Sequence, residues 1–394
     1  MYRPPGKKLS GYGRVTVTHL WRLRERVEKK GIEMVRESKG IAVGGAVRLA
    51  LLGVGFGVLA WLLPTTVASA SSDQLVCSYR EAGIPGPRDN YLAVRTNGWP
   101  VILKRERKEI RVEAGDTPFD ITHYPKFSNL RPVTCGGTQA TITNIDQIRL
   151  RLVNGRNPGL LISHEDGMFS PGATGTGDSS MIEIIVNGDE GPARRPGPLS
   201  FYGSPGNDTI SVVTRNGRVG LDLNGKGAGK NARPELFTRI SISGFVGVGT
   251  QGNDFISAAR LANLKEGSRM RVYLRGSGGN DTLIGGPGRD NIGGDHGRDL
   301  IRAMGGHDGG TGLNMNVSGG GGADRVYGGK GNDVLGGSTI RTGDAGSDQV
   351  YGGPGRDTFI QRDGALDWLR CGPGKEREVQ FEIGLDILYD CEVR

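Results

Sequence analysis

Aromatic residues are scarce in this chain, at 6% of its 394 residues, whereas glycine occurs 69 times. Helical bundles and doubly wound α/β folds fill their interiors with large apolar side chains, and too few are present here. Hydrophobic residues still make up 36% of the chain, which argues against a wholly disordered protein. The composition therefore favours an all-β solenoid whose core is a thin stack of Ile, Leu and Val.

Signatures of hydrolytic enzymes are also missing. The sequence contains no H-E-x-x-H zinc-protease motif and no G-x-S-x-G nucleophile elbow. The histidines after residue 70 are His123, His164, His296 and His307. His164-Glu165-Asp166 is the one compact polar cluster, and we predict that it is an exposed turn. We predict that His296 and His307 face solvent, and we expect no catalytic residues.

Cysteine occurs only four times, at Cys77, Cys135, Cys371 and Cys391, and never as C-x-x-C. This spacing argues against zinc and thioredoxin-like sites. Three pairings are open, and proximity in the sequence favours Cys77–Cys135 with Cys371–Cys391. The second bridge would staple the end of a solenoid, where the last coil needs a cap. The residues predicted to form its apolar lid are Trp368, Leu369, Phe381, Ile383, Leu385 and Ile387.

The net charge of +8 belongs entirely to the first part of the chain, since residues 1–48 hold twelve Lys/Arg and four Asp/Glu. Residues 49–70 carry no charge, and residues 71–394 hold 38 of each sign. Binding of nucleic acid needs a basic face, so this balance argues against a nucleic-acid partner.

Residues 1–70 resemble a leader. An uncharged, mostly apolar run at residues 49–63 is short for a membrane-spanning helix, and Ala68-Ser69-Ala70 provides a small-x-small cleavage pattern. Met34 offers an alternative start that would give a signal peptide of ordinary length. We expect a cleaved signal and no membrane span in the mature form, with an uncleaved anchor as the alternative. Either places the rest of the chain outside the cytoplasm, as a secreted or membrane-anchored protein.

Towards the C-terminus, aspartates recur in a nine-residue unit, and each follows a glycine by two residues. Two residues after the aspartate comes an apolar residue, except at Gly310. Glycine allows tight turns, and the apolar residue indicates a very short, half-buried strand. The aspartates of the eight units are Asp281, Asp290, Asp299, Asp308, Asp324, Asp333, Asp348 and Asp357.

Two such units make one coil of a two-sided solenoid, so residues about eighteen apart should stack about 4.8 Å apart. Asp281 would then stack on Asp299, and Asp290 on Asp308. Carboxylates so close repel each other unless a cation lies between them. Carboxylate and carbonyl oxygens suit Ca²⁺ better than Zn²⁺ or Mg²⁺. The sequence therefore predicts calcium as the bound ion, with the eight aspartates as ligands.

Residues 276–284, 285–293 and 328–336 read GSGGNDTLI, GGPGRDNIG and GGKGNDVLG. These stretches resemble RTX (haemolysin-type) calcium-binding nonapeptides. The resemblance implies a right-handed parallel β-helix or β-roll with Ca²⁺ between successive turns, in a secreted bacterial protein. It covers residues 276–360 firmly.

The array departs from a regular repeat at two places, because Asp308 and Asp324 are 16 residues apart and Asp333 and Asp348 are 15 apart. Residues 313–317 and 338–341 could be strands whose turns have lost the aspartate. One side would then stack Asp281, Asp299, a gap, Asp333 and Asp348. The other would stack Asp290, Asp308, Asp324, a gap and Asp357. Gly310 makes the Asp308 coil the weakest candidate.

Two earlier copies of the unit stand alone, around Asp208 and Asp254. They are either isolated calcium-binding turns or simple Asx-type turns between strands. Both readings predict that the β architecture extends upstream of the repeats.

The predicted organisation is a leader at 1–70, a small N-terminal β cap at 71–134, an irregular β-helix at 135–275, a calcium β-roll at 276–362 and a C-terminal cap at 363–394. Short alternating strands separated by Gly, Asn and Asp turns indicate the β-helix, with an antiparallel sandwich as the alternative. We expect a secreted calcium-binding protein of structural or interaction type that folds on Ca²⁺ outside the cell. The alternatives are a β-helix lyase or epimerase acting on acidic polysaccharide, and a cell-surface adhesin.

Overall fold

A computed structural model describes residues 75–81, 90–97, 99–115, 130–152, 159–167, 169, 182–188, 197–223, 236–238, 242–310, 317–336 and 346–392. The predicted leader, with Met34 and the apolar run at 49–63, lies outside these residues, as do His123 and the strand expected at 338–341. Within them the chain forms two long sheets, and its helical segments are the 3-10 turns Ala259–Asn263 and Gly267–Arg269.

The first sheet has fourteen strands. Their numbers follow the chain, and their order across the sheet is β1 (Val76–Arg80), β2 (Tyr91–Thr96), β6 (Gln147–Leu152), β8 (Glu183–Gly188), β12 (Leu236–Thr238), β11 (Arg218–Leu223), β10 (Thr209–Arg215), β14 (Phe255–Ser257), β16 (Thr282–Ile284), β18 (Leu300–Arg302), β20 (Arg325–Tyr327), β22 (Gln349–Tyr351), β24 (Trp368–Arg370) and β26 (Ile387–Tyr389).

The second sheet has twelve strands, in the order β5 (Arg131–Pro132), β4 (Glu109–Ala114), β3 (Val101–Glu106), β7 (Leu160–Ser163), β9 (Leu199–Tyr202), β13 (Gly244–Val248), β15 (Arg271–Gly278), β17 (Asp290–His296), β19 (Val317–Gly321), β21 (Val334–Gly336), β23 (Thr358–Ile360) and β25 (Glu378–Gln380).

From β12 onwards the chain alternates strictly between the two sheets, and from β13 onwards every strand pairs in parallel with the strand two places along the chain. This is the two-sided parallel solenoid that the sequence predicts. Antiparallel pairs occur upstream, at β1–β2, β3–β4–β5 and β10–β11–β12. Because every strand from β13 onwards pairs in parallel, the alternative of an antiparallel sandwich is wrong. The same two sheets extend through the predicted N-terminal cap, β-helix, β-roll and C-terminal cap. The boundaries between these segments therefore stay predictions.

Each coil of the C-terminal half contributes one apolar side chain from each sheet to a single interior stack. The first sheet supplies Ile256, Leu283, Ile301, Val326, Val350 and Leu369, each 0% exposed. The second sheet supplies Leu274, Ile292, Val317, Leu335 and Phe359, also 0% exposed. Parallel pairing in register places these residues directly over one another. Because side chains alternate between the two faces of a strand, the apolar residue of each unit points inward and forms the core.

Val317 supplies the apolar side chain that the Asp308 unit lacks at Gly310, and the expectation that this coil is the weakest calcium candidate stays a prediction. Val317 pairs with Ile292 on one side and Leu335 on the other, which is the core position that Gly310 leaves without a side chain. Val317 therefore belongs to the same coil as Asp308. The strand expected at 313–317 lies outside the described residues except for Val317, which begins β19 directly between β17 and β21.

The two disulfides are Cys77–Cys135 and Cys371–Cys391, which confirms the predicted pairing. The apolar lid is confirmed only in part. Leu369 is fully buried and Phe381 packs against the core, but Ile383 is 91% exposed, and Leu385 and Ile387 are also exposed. Ile383 and Leu385 lie in or beside the turn before β26, and β25 and β26 are the last strands of their sheets, so nothing in the described chain packs over them.

Candidate calcium-binding columns

The repeat aspartates form two hydrogen-bonded columns along the solenoid. In the column that precedes the first-sheet strands, each backbone amide donates to Oδ1 of the aspartate in the next coil, at 2.7–3.1 Å. We call it the long column, and its members are Asp208, Asp254, Asp281, Asp299, Asp324, Asp348, Asp367 and Asp386. The short column is formed in the same way by Asp290, Asp308, Asp333 and Asp357.

This arrangement corrects the predicted stacking order. Asp299 stacks on Asp324 across 25 residues of sequence, and Asp308 stacks on Asp333 across 25. Neither column has a gap, because the strands before and after residues 311–316 and 337–345 pair directly with each other. The predicted placement of Asp333 in the first stack and Asp324 in the second is therefore wrong.

Asp208 and Asp254 are not isolated turns. The amide of Asp208 donates to Asp254 at 2.8 Å across 46 residues, and that of Asp254 to Asp281 at 2.7 Å across 27. Both side chains are nearly fully buried. The long column therefore starts well upstream of the regular repeats, whether or not these two residues bind an ion.

Position 5 of the unit, just before the aspartate, forms a parallel row of hydrogen bonds. Asn253, Asn280 and Asn332 accept through Oδ1 from the backbone amide of the following coil, at 2.7–2.9 Å. His307 takes the same role, because its Nδ1 accepts from the amide of Asn332 at 2.9 Å. His307 and His296 are exposed, as predicted.

Burial makes the columns electrostatically unfavourable without a counter-ion. Asp281, Asp299, Asp308 and Asp357 are each at most 3% exposed. Loss of hydration, followed by the charge of neighbouring carboxylates, raises the pKa of Asp281 to about 6 and those of Asp299 and Asp357 to about 7, above the ordinary 3.8. The same causes raise the pKa of Asp308 to about 8. Ionised carboxylates need a cation here.

The second carboxylate oxygen is the part of each aspartate that is left for a ligand. A buried hydrogen-bond acceptor without a partner costs about 1–3 kcal/mol. Several such oxygens in one column therefore indicate that a ligand binds them. Within the described chain, Oδ2 is buried without a hydrogen-bond partner in Asp281, Asp299, Asp308, Asp333, Asp348, Asp357 and Asp367.

Glycine at the first position of the unit keeps space open beside this oxygen. A methyl group on Gly276 would lie 2.1 Å from Asp281 Oδ2 and 2.7 Å from the carbonyl oxygen of Gly294 in the next coil. Gly294 repeats this geometry with Asp299 Oδ2 and Gly319 O, at 2.1 and 2.4 Å. Carboxylate and carbonyl oxygens thus converge from successive coils, a donor set that fits Ca²⁺.

Glycine at the fourth position is required for a different reason. Gly297 has φ 127°, and a methyl group there would lie 1.7 Å from the carbonyl oxygen of Gly279. Only glycine allows both this backbone conformation and this approach between coils.

Sequence reasoning missed Asp363, Asp367 and Asp386. Arg362 and Ala365 occupy the places of the two glycines in the Asp367 unit, so the nonapeptide pattern ends before it. What remains is an aspartate two residues before a partly or fully buried leucine, at Asp367–Leu369 and Asp386–Leu388. This shorter pattern occurs 19 residues after Asp348 and again 19 residues after Asp367. It could have revealed Asp367 and Asp386 in the sequence.

His164 also differs from its prediction. Glu165 and Asp166 form an exposed turn, but His164 is 1% exposed and its ring meets Phe169 and Phe201 edge-on, at centroid distances of 5.3 and 4.7 Å. Burial lowers its pKa to about 3, with a smaller effect from Arg105. His164 is therefore a neutral core residue.

Comparison with known proteins identifies the repeats. Residues 274–309, 316–338 and 342–360 match the family described as RTX calcium-binding nonapeptide repeat (4 copies). This match confirms the resemblance on which the repeat reading depends. No curated protein matches the chain, and no solved structure does.

Substituting the glycine beside the carboxylate should disrupt a coil. We expect Gly294→Ala to lower the free energy of unfolding by about 1–3 kcal/mol, because the methyl group overlaps Asp299 and Gly319. Its neighbour provides the control, since a methyl on Gly293 meets nothing closer than 3.9 Å and should change stability by less than about 0.5 kcal/mol. Equal effects in urea unfolding of the two variants would contradict this geometry.

The raised pKa values predict an inverted pH dependence in calcium-free protein. Because the folded carboxylates hold protons more tightly than unfolded ones, their contribution is largest below the ordinary pKa of 3.8 and is lost as pH rises through the folded values of about 6 to 8. With chelator, the melting temperature should therefore fall between about pH 4 and pH 8. Saturating Ca²⁺ should abolish or reverse this slope, because it binds the ionised form. A chelated protein that melts higher at pH 8 than at pH 5 would refute the prediction.

Proposed function

We propose that this is a secreted calcium-binding protein of structural or interaction type, whose β-roll is completed by Ca²⁺ outside the cell. The observation that carries the proposal is the set of buried Oδ2 atoms without a protein partner, arranged in columns. In the absence of a cation, mutual repulsion and lost hydration act against this arrangement at neutral pH. A divalent cation between neighbouring rungs removes both penalties.

Export is supported by three features of the chain. The disulfides Cys77–Cys135 and Cys371–Cys391 are typical of oxidising compartments. Extracellular modules bind Ca²⁺ at about 10⁻⁴–10⁻³ M, a concentration that the cytosol does not offer. The leader pattern at residues 1–70 supplies a route. No helix among the described residues is long and apolar enough to cross a membrane.

Coupling between calcium and folding can be measured directly. Far-ultraviolet circular dichroism of the oxidised protein should gain β signal as Ca²⁺ rises from micromolar to about 10 mM, whereas Mg²⁺ should produce little change. Asp299→Asn should shift the midpoint to higher Ca²⁺, because it removes one buried charge from the long column. Asp166→Asn removes an exposed carboxylate from a turn and is the control. Identical spectra and melting temperatures with and without Ca²⁺ would exclude the proposal.

A second proposal concerns the partner, which we infer to be an acidic polysaccharide. A concave surface of about 410 Å³ on the outer face of the first sheet is lined by Arg80, Arg95, Arg149 and Arg151, with Asn187 at its side. Among the described residues that line it, none is acidic. We call it the arginine surface.

The strands fix the spacing of these guanidinium groups. Arg95 of β2 pairs with Arg151 of β6, which pairs with Asn187 of β8, so the three side chains form one row across the sheet. Arg149 is held in place, because its Nε and Nη2 donate to Gln147 Oε1 at 2.8 and 2.7 Å and its Cζ lies 4.1 Å from the centre of the Tyr91 ring. The planar guanidinium group of arginine can bind both oxygens of one carboxylate. A row of arginines therefore suits an extended polymer that carries successive carboxylates.

This reading favours binding over catalysis. The only described histidine upstream of the repeats, His164, is buried and neutral, and it lies away from the residues that line the arginine surface. We therefore propose a binding role and keep the lyase or epimerase as the alternative that the same assay can detect. An adhesin would use the same surface.

Binding of a uronate polymer tests the arginine surface. The double variant Arg95→Gln/Arg151→Gln should weaken the affinity at least about tenfold and reduce its salt dependence. Arg298→Gln/Arg325→Gln removes the same charge from exposed positions in the repeats and should bind as the unmodified protein does. Equal losses in the two doubles would mean that only net charge matters. Release of unsaturated products from the polymer would favour the enzyme.

A further inference from the structure

A cluster of three carboxylates lies towards the C-terminal end of the long column, where the nonapeptide repeats end. One carboxylate oxygen from each of Asp348, Asp363 and Asp367 lies within 4.8 Å of the other two. Asp348 and Asp367 are 0% exposed, and Asp363 is half-buried in the turn between β23 and β24. The repeat family matches only as far as residue 360, so two of the three residues are outside it.

Hydrogen bonds fix each carboxylate through Oδ1 and leave the other oxygen available. Asp348 Oδ1 accepts from the amide of Asp324 at 2.8 Å, and Asp367 Oδ1 from the amide of Asp348 at 2.9 Å. Asp363 Oδ1 accepts from the amide of Ala365 at 2.8 Å. In all three, Oδ2 is buried and finds no hydrogen-bond partner in the described part of the chain.

The turn that carries Asp363 is itself held against the next coil. The amide of Gly364 donates to Glu382 Oε2 at 3.0 Å, and the amide of Glu382 donates to Asp386 Oδ2 at 2.7 Å. The turn that carries Asp363 is therefore held in place by hydrogen bonds to the last coil of the solenoid.

The charges around the cluster have one sign. The charged groups that act on Asp348 are Asp324, Asp367 and Asp363, and those that act on Asp367 are Asp363, Asp386 and Glu382. Three or more carboxylates in one buried position are strongly unfavourable unless a cation shares it. Their ligand atoms are all oxygen, which a hard divalent cation prefers.

We propose that Asp348, Asp363 and Asp367 form a three-carboxylate calcium site where the nonapeptide repeats end, and that it binds Ca²⁺ more tightly than the repeat sites do. The reason is ligand charge, which sets calcium affinity in oxygen-donor sites: adjacent rungs of the repeats bring two aspartates together, whereas this site brings three. The choice of ion rests on the proposed function of the repeats, whereas the site itself rests on its geometry.

Trp368 makes the site measurable in the full-length oxidised protein. It follows Asp367 directly and is half-buried. Terbium replaces calcium in oxygen-donor sites and emits when a nearby tryptophan is excited. We expect Trp-sensitised emission that saturates at low Tb³⁺, is displaced by Ca²⁺ before any change in circular dichroism and is abolished by Trp368→Phe. Asp363→Asn should raise the Tb³⁺ and Ca²⁺ midpoints of this signal at least about tenfold.

Two controls make the result decisive. Glu378→Gln removes one exposed carboxylate from the same C-terminal segment and should leave the midpoint unchanged. Asp363→Glu keeps the charge and should retain most of the affinity, which separates a lost ligand from a damaged fold. An unchanged midpoint in Asp363→Asn, or emission that persists in Trp368→Phe, would overturn the proposal.

Equilibrium dialysis of the unmodified protein and of Asp363→Asn distinguishes failure of this proposal from failure of the proposed function. If the repeats do not bind calcium, equilibrium dialysis should find a single tight site that Asp363→Asn removes. If only the C-terminal site is absent, dialysis and circular dichroism should show the full repeat response in both proteins. Loss of a single tight site in Asp363→Asn, with the repeat response intact, supports both.

Discussion

The constraint on which this fold depends is the hydrogen bond between a backbone amide and the aspartate of the next coil. Each such bond joins two coils at the same corner of the solenoid, and seven of them in succession run from Asp208 to Asp386. From Asp281 to Asp367, the bond uses one carboxylate oxygen, and in Asp281, Asp299 and Asp348, for example, the other is buried without a hydrogen-bond partner. The bond therefore stabilises the turn and at the same time creates the need for a cation, so fold and ligand follow from one residue.

Thin cores need this reinforcement. A coil of the repeats buries few large apolar side chains, such as Ile301 and Val317. The free energy from so little buried surface is small compared with the entropy of ordering a coil. Ladder hydrogen bonds, the two terminal disulfides and the proposed ions supply what the core does not.

The nonapeptide register was sufficient to predict the all-β solenoid, the two-sided coil and the interior stack, and proximity of the cysteines was sufficient to predict their pairing. Prediction failed where spacing was used to decide which aspartates are neighbours. Asp299 and Asp324 are separated by 25 residues, whereas Asp281 and Asp299 are separated by 18, yet both pairs make the same 2.7 Å bond. Strand pairing decides neighbours in a sheet, and a loop between strands changes the spacing without changing the pairing. Asp363 was unpredictable for a related reason, since it enters the site from a turn that has no repeat signature.

The unequal sequence separations of stacked aspartates show that the number of coils does not depend on how many residues each coil contains. Adding a coil lengthens both columns by a rung, whereas adding residues at a turn leaves every rung in place, as the unbroken bond from Asp308 to Asp333 demonstrates. Residues can thus be gained or lost between strands during evolution without a change in the register of the columns. A peptide or a tag inserted between two strands of the roll should therefore leave both hydrogen-bonded columns intact.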